Sequence, residues 1–222
     1  MQKTLTACLF DLDGTLADTA ADLINALDHV LDKHGLPKSN KSLARQEVSH
    51  GANALLKFGF ADQYPKFNSL RLRHELLDFY ANNLCHETIL FAHFETVLKS
   101  FSENNIPWGI VTNKPAFLTD PLLVELKNKY PILKHCKCII SADTYAQRKP
   151  FAVGLLAGAS ALGITPNQVW YLGDSWRDID AGIYASMSTI AVSYGYIKSD
   201  DDITHWGADK IIDCPSELLQ MI

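Results

Sequence analysis

The chain has 222 residues, of which 47% are hydrophobic and 20% are charged. These proportions are typical of a folded globular protein and exclude a wholly disordered chain. The 25 acidic and 20 basic residues give a net charge of −5, which argues against a protein that binds nucleic acid by bulk attraction. No apolar run approaches the roughly 20 residues that a membrane-spanning helix needs. We therefore expect neither a nucleic-acid partner nor a membrane partner.

The first residues and the cysteines bear on the cellular location. Residues 1–10 lack the apolar run of roughly 7 to 15 residues that forms the core of a signal peptide. The five cysteines are an odd number and show no spacing typical of a disulfide framework. We expect a cytoplasmic protein, in which Cys136 and Cys138 are buried thiols on one face of a strand rather than metal ligands.

Six short β-rich segments alternate with helical patterns along the chain. They are residues 7–10, 108–112, 138–141, 169–172, 189–192 and 210–212. Between most of them, apolar residues recur at the i, i+3, i+4 spacing of an amphipathic helix. Alternation of strands and helices predicts an α/β fold, a doubly wound, Rossmann-like parallel sheet covered on both faces.

The interval between the first two predicted strands is much longer than one crossover helix requires. Its pattern predicts helices near residues 18–34, 42–58 and 69–85, with breaks at 35–37 and 61–65. We expect most of this interval to be an inserted helical cap at residues 17–87. Residues 1–16 and 88–222 would form the α/β core.

Polar residues follow four of the predicted strands, at the point where each strand ends. In an open α/β sheet, ligands bind at the carboxyl ends of the strands, near the point where strand order reverses. We therefore expect these side chains to meet in one site. They are Asp11 and Asp13 after the first strand, Thr112 and Asn113 after the second, Arg148 and Lys149 in the loop after the third, and Asp174, Ser175 and Asp178 after the fourth.

These residue types fit phosphoryl transfer through an aspartyl phosphate. A carboxylate can attack phosphorus when a divalent cation such as Mg²⁺ screens the negative charges, and Asp11 and Asp174 are candidates to hold that ion. Asp13 is the candidate that protonates the leaving oxygen and then activates water. The phosphate would be held by a backbone turn, a hydroxyl and a cation, from Gly14, Thr112 and Lys149. Each motif alone is typical of an ordinary turn or helix cap, but the ordered set of four favours a catalytic site.

The four motifs resemble, in order, those of the haloacid dehalogenase superfamily. They are Asp11-Leu12-Asp13-Gly14-Thr15-Leu16, Val111-Thr112-Asn113, Lys149-Pro150, and Gly173-Asp174-Ser175 with Asp178. The resemblance covers almost the entire chain and implies a Mg²⁺-dependent phosphomonoester hydrolase that acts through an aspartyl phosphate. Its helical cap would close over the site and contact the substrate, a small phosphorylated metabolite. We expect a monomer or a homodimer.

The resemblance also assigns roles to individual residues. Asp11 would be the nucleophile and Asp13 the acid and base, and both would join Asp174 in the metal site. Ser175 would support the metal site, and Asp178 would assist it or orient the phosphate-binding lysine. The phosphate-binding residues would be Gly14, Thr112, Asn113 and Lys149, of which Thr112 and Lys149 also count as catalytic.

Further segments resemble two phosphatase groups of this superfamily. Similarity to the phosphoglycolate phosphatases is found at residues 111–115, 148–150 and 194–196. Similarity to the N-acetylmuramic acid 6-phosphate phosphatases of bacterial cell-wall recycling, an alternative, is found at residues 51–54, 108–109, 194–197 and 206–209. In the cap, Ser49, His50 and Gly51 interrupt a helical pattern, and we expect this loop near the substrate.

Three other activities use a related site. A phosphomutase differs from a phosphatase only in its cap contacts, so it stays an alternative. A haloacid dehalogenase attacks carbon and needs neither Asp13 nor a metal ion. A signalling receiver is a phosphoaccepting switch rather than an enzyme, and its output is a stable aspartyl phosphate. The second acid at the Asp13 position favours rapid hydrolysis instead, and a receiver has no large insert after the first strand.

Overall fold

A six-stranded parallel sheet forms the centre of the structure, a computed structural model that describes residues 5–222. Residues 1–4, which belong to the predicted core, lie outside the described part of the chain. The strands are β1 (Ala7–Phe10), β2 (Ala17–Asp18), β3 (Ile89–Leu90), β4 (Trp108–Val111), β5 (Ile139–Ile140), β6 (Val169–Gly173), β7 (Ser188–Val192) and β8 (Lys210–Ile212). The order across the sheet is β5-β4-β1-β6-β7-β8, with every pair parallel. The predicted doubly wound α/β fold is confirmed, and each predicted strand ends within one residue of an observed strand.

Amphipathic helices accompany the strands. Helix α5 shows why these segments are helical, because Phe94, Val97, Leu98 and Phe101 share one helix face and are all buried. Within residues 5–222, no helix is both long enough and apolar enough to cross a membrane. The helices are α1 (Ala20–Lys33), α2 (Lys41–Glu47), α3 (Ala52–Phe60), α4 (Ser69–Asn82), α5 (Phe94–Glu103), α6 (Ala116–Lys129), α7 (Val153–Leu162) and α8 (Trp176–Tyr184).

Hydrophobic side chains cover both faces of the sheet. On one face, the ring of Phe10 packs against the rings of Phe94 and Trp108, with centroids 5.5 and 5.9 Å apart. On the other face, Leu9 lies in a buried cluster with Leu155 and Tyr171. Strand β1 is therefore buried on both sides, as expected for a central strand of a parallel sheet. This burial fixes the position of the residues that follow β1.

A separate hydrophobic cluster holds helices α1 to α4 together as a cap. Leu27, Leu56, Phe60 and Leu76 are fully or almost fully buried within it. The segment predicted as one helix at residues 42–58 forms α2 and α3 instead. A 3-10 turn at Val48–His50 separates the two helices, and Gly51 follows it with a φ of +83°. The interruption therefore falls where the sequence pattern breaks.

A short antiparallel pair, β2 with β3, joins the cap to the core. Ala17 pairs with Leu90 and Asp18 pairs with Ile89, so the chain enters and leaves the cap at one place. The carboxylate of Asp22 in α1 accepts hydrogen bonds from the backbone N–H groups of Glu87 and Thr88, at 2.9 and 3.1 Å. These bonds tie the start of the cap to its end. Neither strand was predicted, because two residues are too few to show an alternating pattern.

Strand order reverses between β1 and β6. The connections from β1 through β4 to β5 extend the sheet in one direction, and those from β6 through β7 to β8 extend it in the other. Such a switch point leaves a crevice at the carboxyl ends of the two central strands. Asp11 follows β1 and Asp174 follows β6. The fold therefore places both acids at this crevice.

Candidate active site

Three carboxylates meet where β1 and β6 end. Asp11, Asp174 and Asp178 each contribute an oxygen, and these oxygens lie within 4.8 Å of one another. The Oδ2 atom of Asp174 accepts hydrogen bonds from Ser49 Oγ at 2.6 Å and from Tyr196 N at 2.9 Å. Its Oδ1 atom is buried and has no hydrogen-bond partner among the described residues. The group therefore contains one oxygen that the protein itself leaves unpaired.

An unpaired, buried carboxylate oxygen beside two further carboxylates suits a hard divalent cation. Asp11, Asp174 and Asp178 fit the predicted Mg²⁺ by this test. The side chain of Asp13, also predicted to join the metal site, is not part of this group of three carboxylates. Its Oδ1 atom accepts hydrogen bonds from Thr19 and a lysine. Predicted as a supporting residue, Ser175 caps α8 and lines the adjacent cavity.

Lys149 bridges two of these carboxylates. Its Nζ atom lies 2.8 Å from Asp11 Oδ1 and 2.6 Å from Asp178 Oδ1, and it also donates to the hydroxyl of Tyr171 at 2.8 Å. Burial acts to lower the pKa of Lys149, but Asp11 and Asp178 outweigh burial, so the pKa is raised. Lys149 is therefore a cation whose ammonium lies between the carboxylates of Asp11 and Asp178.

Burial perturbs the acids of the site. It raises the pKa of Asp11 to about 7, where the charges of Asp178 and Asp174 add to the effect and Lys149 opposes it. Burial also raises the pKa of Asp174 to about 6, with a further contribution from Asp178. Both groups ionise near neutral pH, and a bound cation would favour their ionised forms.

The two oxygens of Asp11 have different surroundings. Oδ1 accepts a hydrogen bond from Leu12 N at 2.7 Å and contacts the ammonium of Lys149. Oδ2 makes no hydrogen bond within residues 5–222. Since Asp11 lines a cavity, the Oδ2 atom is the one available to a ligand.

Asp13 takes part in a separate set of contacts. Its Oδ1 atom accepts hydrogen bonds from Thr19 Oγ1 at 2.6 Å and from Lys114 Nζ at 2.9 Å. Lys114 Nζ also donates to the hydroxyl of Tyr80, in helix α4 of the cap, at 3.0 Å. Sequence analysis assigns no role to Thr19, Lys114 or Tyr80, although the position of Lys114 directly after Thr112-Asn113 is a signal that could have identified it.

The segment after β4 contributes a hydroxyl group with a free proton and a side-chain amide that holds the backbone of another site residue. Thr112 is buried, and its Oγ1 atom accepts a hydrogen bond from Lys114 N at 3.1 Å, which leaves its proton free for a ligand. The side-chain amide of Asn113 donates to Lys149 O and accepts from Lys149 N, both at 3.1 Å. The side chain of Asn113, predicted to bind phosphate, is thus engaged in fixing the backbone of Lys149.

Gly14 gives Asp174 the space that it occupies. Its φ is +83°, and a Cβ atom at this position would lie 2.1 Å from Asp174 Oδ2. Its N–H donates to Ala17 O at 3.0 Å and is not free for a phosphate oxygen. Glycine is required here for both the backbone angle and the close approach of the carboxylate.

A cavity of about 430 Å³ lies between the core and the cap. The predicted cap residues Ser49, His50 and Gly51 line it, opposite Asp11 and the other acids of the core. Burial lowers the pKa of His50, and the nearby charges of Lys198 and Arg177 add to that effect. Ser49 is held to the core twice, because its carbonyl also accepts a hydrogen bond from Arg177 at 2.7 Å. The cap loop is therefore closed against the catalytic edge of the sheet.

The chain is similar to known proteins over most of its length. Residues 8–192 match the profile of the Haloacid dehalogenase-like hydrolase family. The chain belongs to this family. The predictions of the superfamily and of a hydrolase are thereby confirmed, and the matched span includes all four motifs at the ends of the strands.

Curated and structural relatives align with this chain over nearly their whole length. An N-acetylmuramic acid 6-phosphate phosphatase of Pseudomonas aeruginosa is 36% identical over 98% of this chain and 95% of its own length. A phosphoglycolate phosphatase of Xanthomonas campestris is 36% identical over 96% of this chain and 94% of its own. A crystal structure of a predicted phosphoglycolate phosphatase from Haemophilus somnus has a TM-score of 0.85 at 22% identity, and the match covers 98% of this chain and 97% of that one. Both predicted phosphatase groups are thus represented among the relatives.

Proposed function

We propose that this haloacid dehalogenase-like hydrolase is a Mg²⁺-dependent phosphatase that hydrolyses a small phosphomonoester through an aspartyl phosphate. The observation that carries the proposal is the contact of 2.8 Å between Lys149 Nζ and Asp11 Oδ1 at the base of the cavity. A fixed cation beside a carboxylate allows a phosphate dianion to approach that carboxylate.

The side chains have distinct tasks in this reaction. Asp11 attacks phosphorus through Oδ2, and the bond from phosphorus to the leaving oxygen breaks. Asp13 gives its proton to that oxygen and later takes a proton from the water that attacks the aspartyl phosphate. Thr112 donates its hydroxyl proton to a phosphate oxygen, and Lys149 neutralises part of the phosphate charge. The cap excludes bulk water while the intermediate is present.

The acidic group would hold Mg²⁺ through Asp11, Asp174 and Asp178. When bound, the ion would screen the charge of the carboxylates and of the phosphate. Support comes from the unpaired Oδ1 atom of Asp174 and from the raised pKa values of Asp11 and Asp174, which reflect acids crowded in a buried site.

We propose two candidate substrates, of which phosphoglycolate is the first and N-acetylmuramic acid 6-phosphate the second. Relatives of either name are equally similar to this chain, at 36% identity. The cavity of about 430 Å³ favours the second candidate, since this volume falls in the range of pockets that enclose ligands much larger than glycolate. Both substrates carry a carboxylate. Arg73 and Arg148 line the cavity and form no ion pair within residues 5–222, so they suit a second anionic group.

The deciding experiment compares kcat/KM for phosphate release from the two substrates, with and without Mg²⁺. Hydrolysis of at least one substrate, lost without Mg²⁺, supports the proposal. A phosphomutase would return the phosphoryl group to a sugar, and a signalling receiver would retain it, so release of inorganic phosphate separates these alternatives. The cytoplasmic location and the monomeric or homodimeric state stay predictions.

A further inference from the structure

We propose that Lys114 is a positioning residue for Asp13, which it holds so that only one carboxylate oxygen exchanges protons with the substrate. The inference rests on the proposed function, because it concerns the acid and base of that reaction. The inference also connects the cap with the acid and base, because Tyr80 of the cap contacts Lys114.

The contacts of Asp13 are all on one oxygen. Thr19 Oγ1 and Lys114 Nζ both donate to Oδ1, at 2.6 and 2.9 Å. The Oδ2 atom has no hydrogen bond within the part of the chain that the structure describes, and Asp13 lines the cavity. Two donors therefore occupy Oδ1, and Oδ2 is the oxygen of Asp13 that is left to exchange a proton with a ligand in the cavity.

The proton therefore moves through Oδ2. When Asp11 bonds to phosphorus and the bond to the leaving oxygen breaks, the Oδ2 proton of Asp13 passes to the leaving oxygen. Asp13 is then a carboxylate whose Oδ1 faces the ammonium of Lys114. In the second half of the reaction the same Oδ2 takes a proton from the attacking water.

Lys114 is itself fixed by the cap. Its side chain is 5% exposed, and its Nζ atom lies 3.0 Å from the hydroxyl and 4.6 Å from the ring centroid of Tyr80. Burial raises the pKa of Tyr80 to about 12, so its hydroxyl stays neutral and can accept the hydrogen bond. Tyr80 lies in α4 of the cap and Lys114 lies in the core, so the ammonium has both of its partners only while the cap is closed. Closure of the cap and the orientation of Asp13 are thus coupled through one side chain.

The test is Lys114→Met, measured as kcat/KM on two classes of substrate. The first is an alkyl phosphate, either 2-phosphoglycolate or N-acetylmuramic acid 6-phosphate, whichever the wild type hydrolyses faster. The second is p-nitrophenyl phosphate, whose leaving group departs without a proton. Because kcat/KM covers only the steps up to departure of the leaving group, it reports the acid role of Asp13 and not its later role as a base.

The proposal expects Lys114→Met to lower kcat/KM for the alkyl phosphate by at least about thirtyfold and that for p-nitrophenyl phosphate by less than about threefold. The matched control is Lys198→Met, which removes another ion pair between cap and core, Lys198 with Glu47 at 2.8 Å, without touching Asp13. The control should change both values by less than about threefold, as expected for an ion pair that is partly open to solvent and distant from Asp13.

Tyr80→Phe is the second variant, and it decides the question if Lys114→Met does not fold. It keeps the ring and removes only the hydroxyl, so kcat/KM for the alkyl phosphate should fall several-fold while that for p-nitrophenyl phosphate stays unchanged. Equal losses on both substrates, or no loss on the alkyl phosphate, would overturn the inference. A wild type that hydrolyses no phosphomonoester would instead refute the proposed function, so the two failures are distinguishable.

Discussion

Ser49 of the cap donates a hydrogen bond from its hydroxyl to Oδ2 of Asp174 in the core, over a distance of 2.6 Å. The two residues are 125 positions apart in the chain. Asp174 offers its other carboxylate oxygen to the proposed cation, so a single side chain connects the closed cap with the metal site. The position of the cap loop and the position of this acid are therefore linked by one hydrogen bond.

Ser49→Ala removes this bond and should lower kcat/KM by roughly tenfold, because a hydrogen bond to a charged group contributes about 1.5 kcal/mol. The fold should be unaffected, since Arg177 still binds the carbonyl of residue 49. Steady-state kinetics on the better substrate provide the measurement. Ser42→Ala, at an exposed position of α2, is the matched control and should behave as the wild type. Equal activities of the two variants would contradict the role given to Ser49.

Asp11→Asn should lower kcat by at least roughly a thousandfold while the protein stays folded, because an amide does not attack phosphorus. Lys149 keeps Asp178 and Tyr171 as partners in this variant. In metal-free buffer at about pH 8 the variant should be at least as stable as the wild type, because it no longer buries an ionised Asp11. Phosphate release and thermal unfolding test both statements. Near-normal turnover in this variant would refute the proposed nucleophile.

Mg²⁺ should stabilise the protein more strongly at about pH 8 than at about pH 5.5. The folded, metal-free protein holds a proton on Asp11 up to about pH 7 and on Asp174 up to about pH 6. The unfolded chain releases these protons near pH 4, so the stability that they contribute is complete below about pH 4 and is lost as the pH rises through 6 to 7. Cation binding requires the ionised acids and therefore strengthens over that same range.

The measurement for this prediction is the change in Tm on addition of MgCl₂ at the two pH values. Asp174→Asn serves as the control, and it should lose most of the Mg²⁺-dependent change in Tm at about pH 8. An increase in Tm that is independent of pH, or that survives in Asp174→Asn, would place the cation elsewhere.

Gly14→Ala should abolish most of the activity, because the added Cβ would lie 2.1 Å from Asp174 Oδ2 and the carboxylate would have to move. Gly35→Ala is the matched control. Gly35 also has a positive φ, +73°, but open space surrounds the position of its Cβ. Both variants should lose about 1 to 2 kcal/mol of stability from backbone strain, whereas only Gly14→Ala should lose activity. Urea unfolding measures the loss of stability from backbone strain, and kcat measures the effect of moving Asp174. The two measurements together therefore distinguish these causes.

Local patterns predicted the sheet and most of the catalytic edge. Each core strand is a short apolar run. Asp11 and Asp174 directly follow two of these runs in the sequence, so their position at the carboxyl ends of the strands could be predicted from the strands alone. Contacts between segments that are distant in the sequence leave no local pattern from which they could be predicted. The hydrogen bonds from Lys114 to Tyr80 and from Ser49 to Asp174 depend on how the cap sits on the core, which periodicity within a single helix does not encode.

The assignment of Asp13 shows the same limit at short range. The resemblance assigns Asp13 to the metal site as well as to acid and base catalysis, and the sequence does not reveal that Lys114, about a hundred positions later, binds its carboxylate. The pKa values of Asp11 and Asp174 likewise depend on burial and on charged residues that are distant in the sequence. Residue type and order along the chain therefore predicted the chemistry, and the packing of cap on core determines how each acid is used.

The pairing of β2 with β3 makes the cap an insertion whose two ends meet at one point. An insertion with adjacent ends can be replaced without disturbing the sheet around it. A cap of another shape can thus be spliced between the same two strands while Asp11, Lys149 and Asp174 keep their framework. The cap partners of Lys114, Asp174, Arg177 and Lys198 would have to be rebuilt. The core residues of the proposed reaction and the cap that would contact the substrate are thus separate parts of one chain, and each can change in evolution at its own rate.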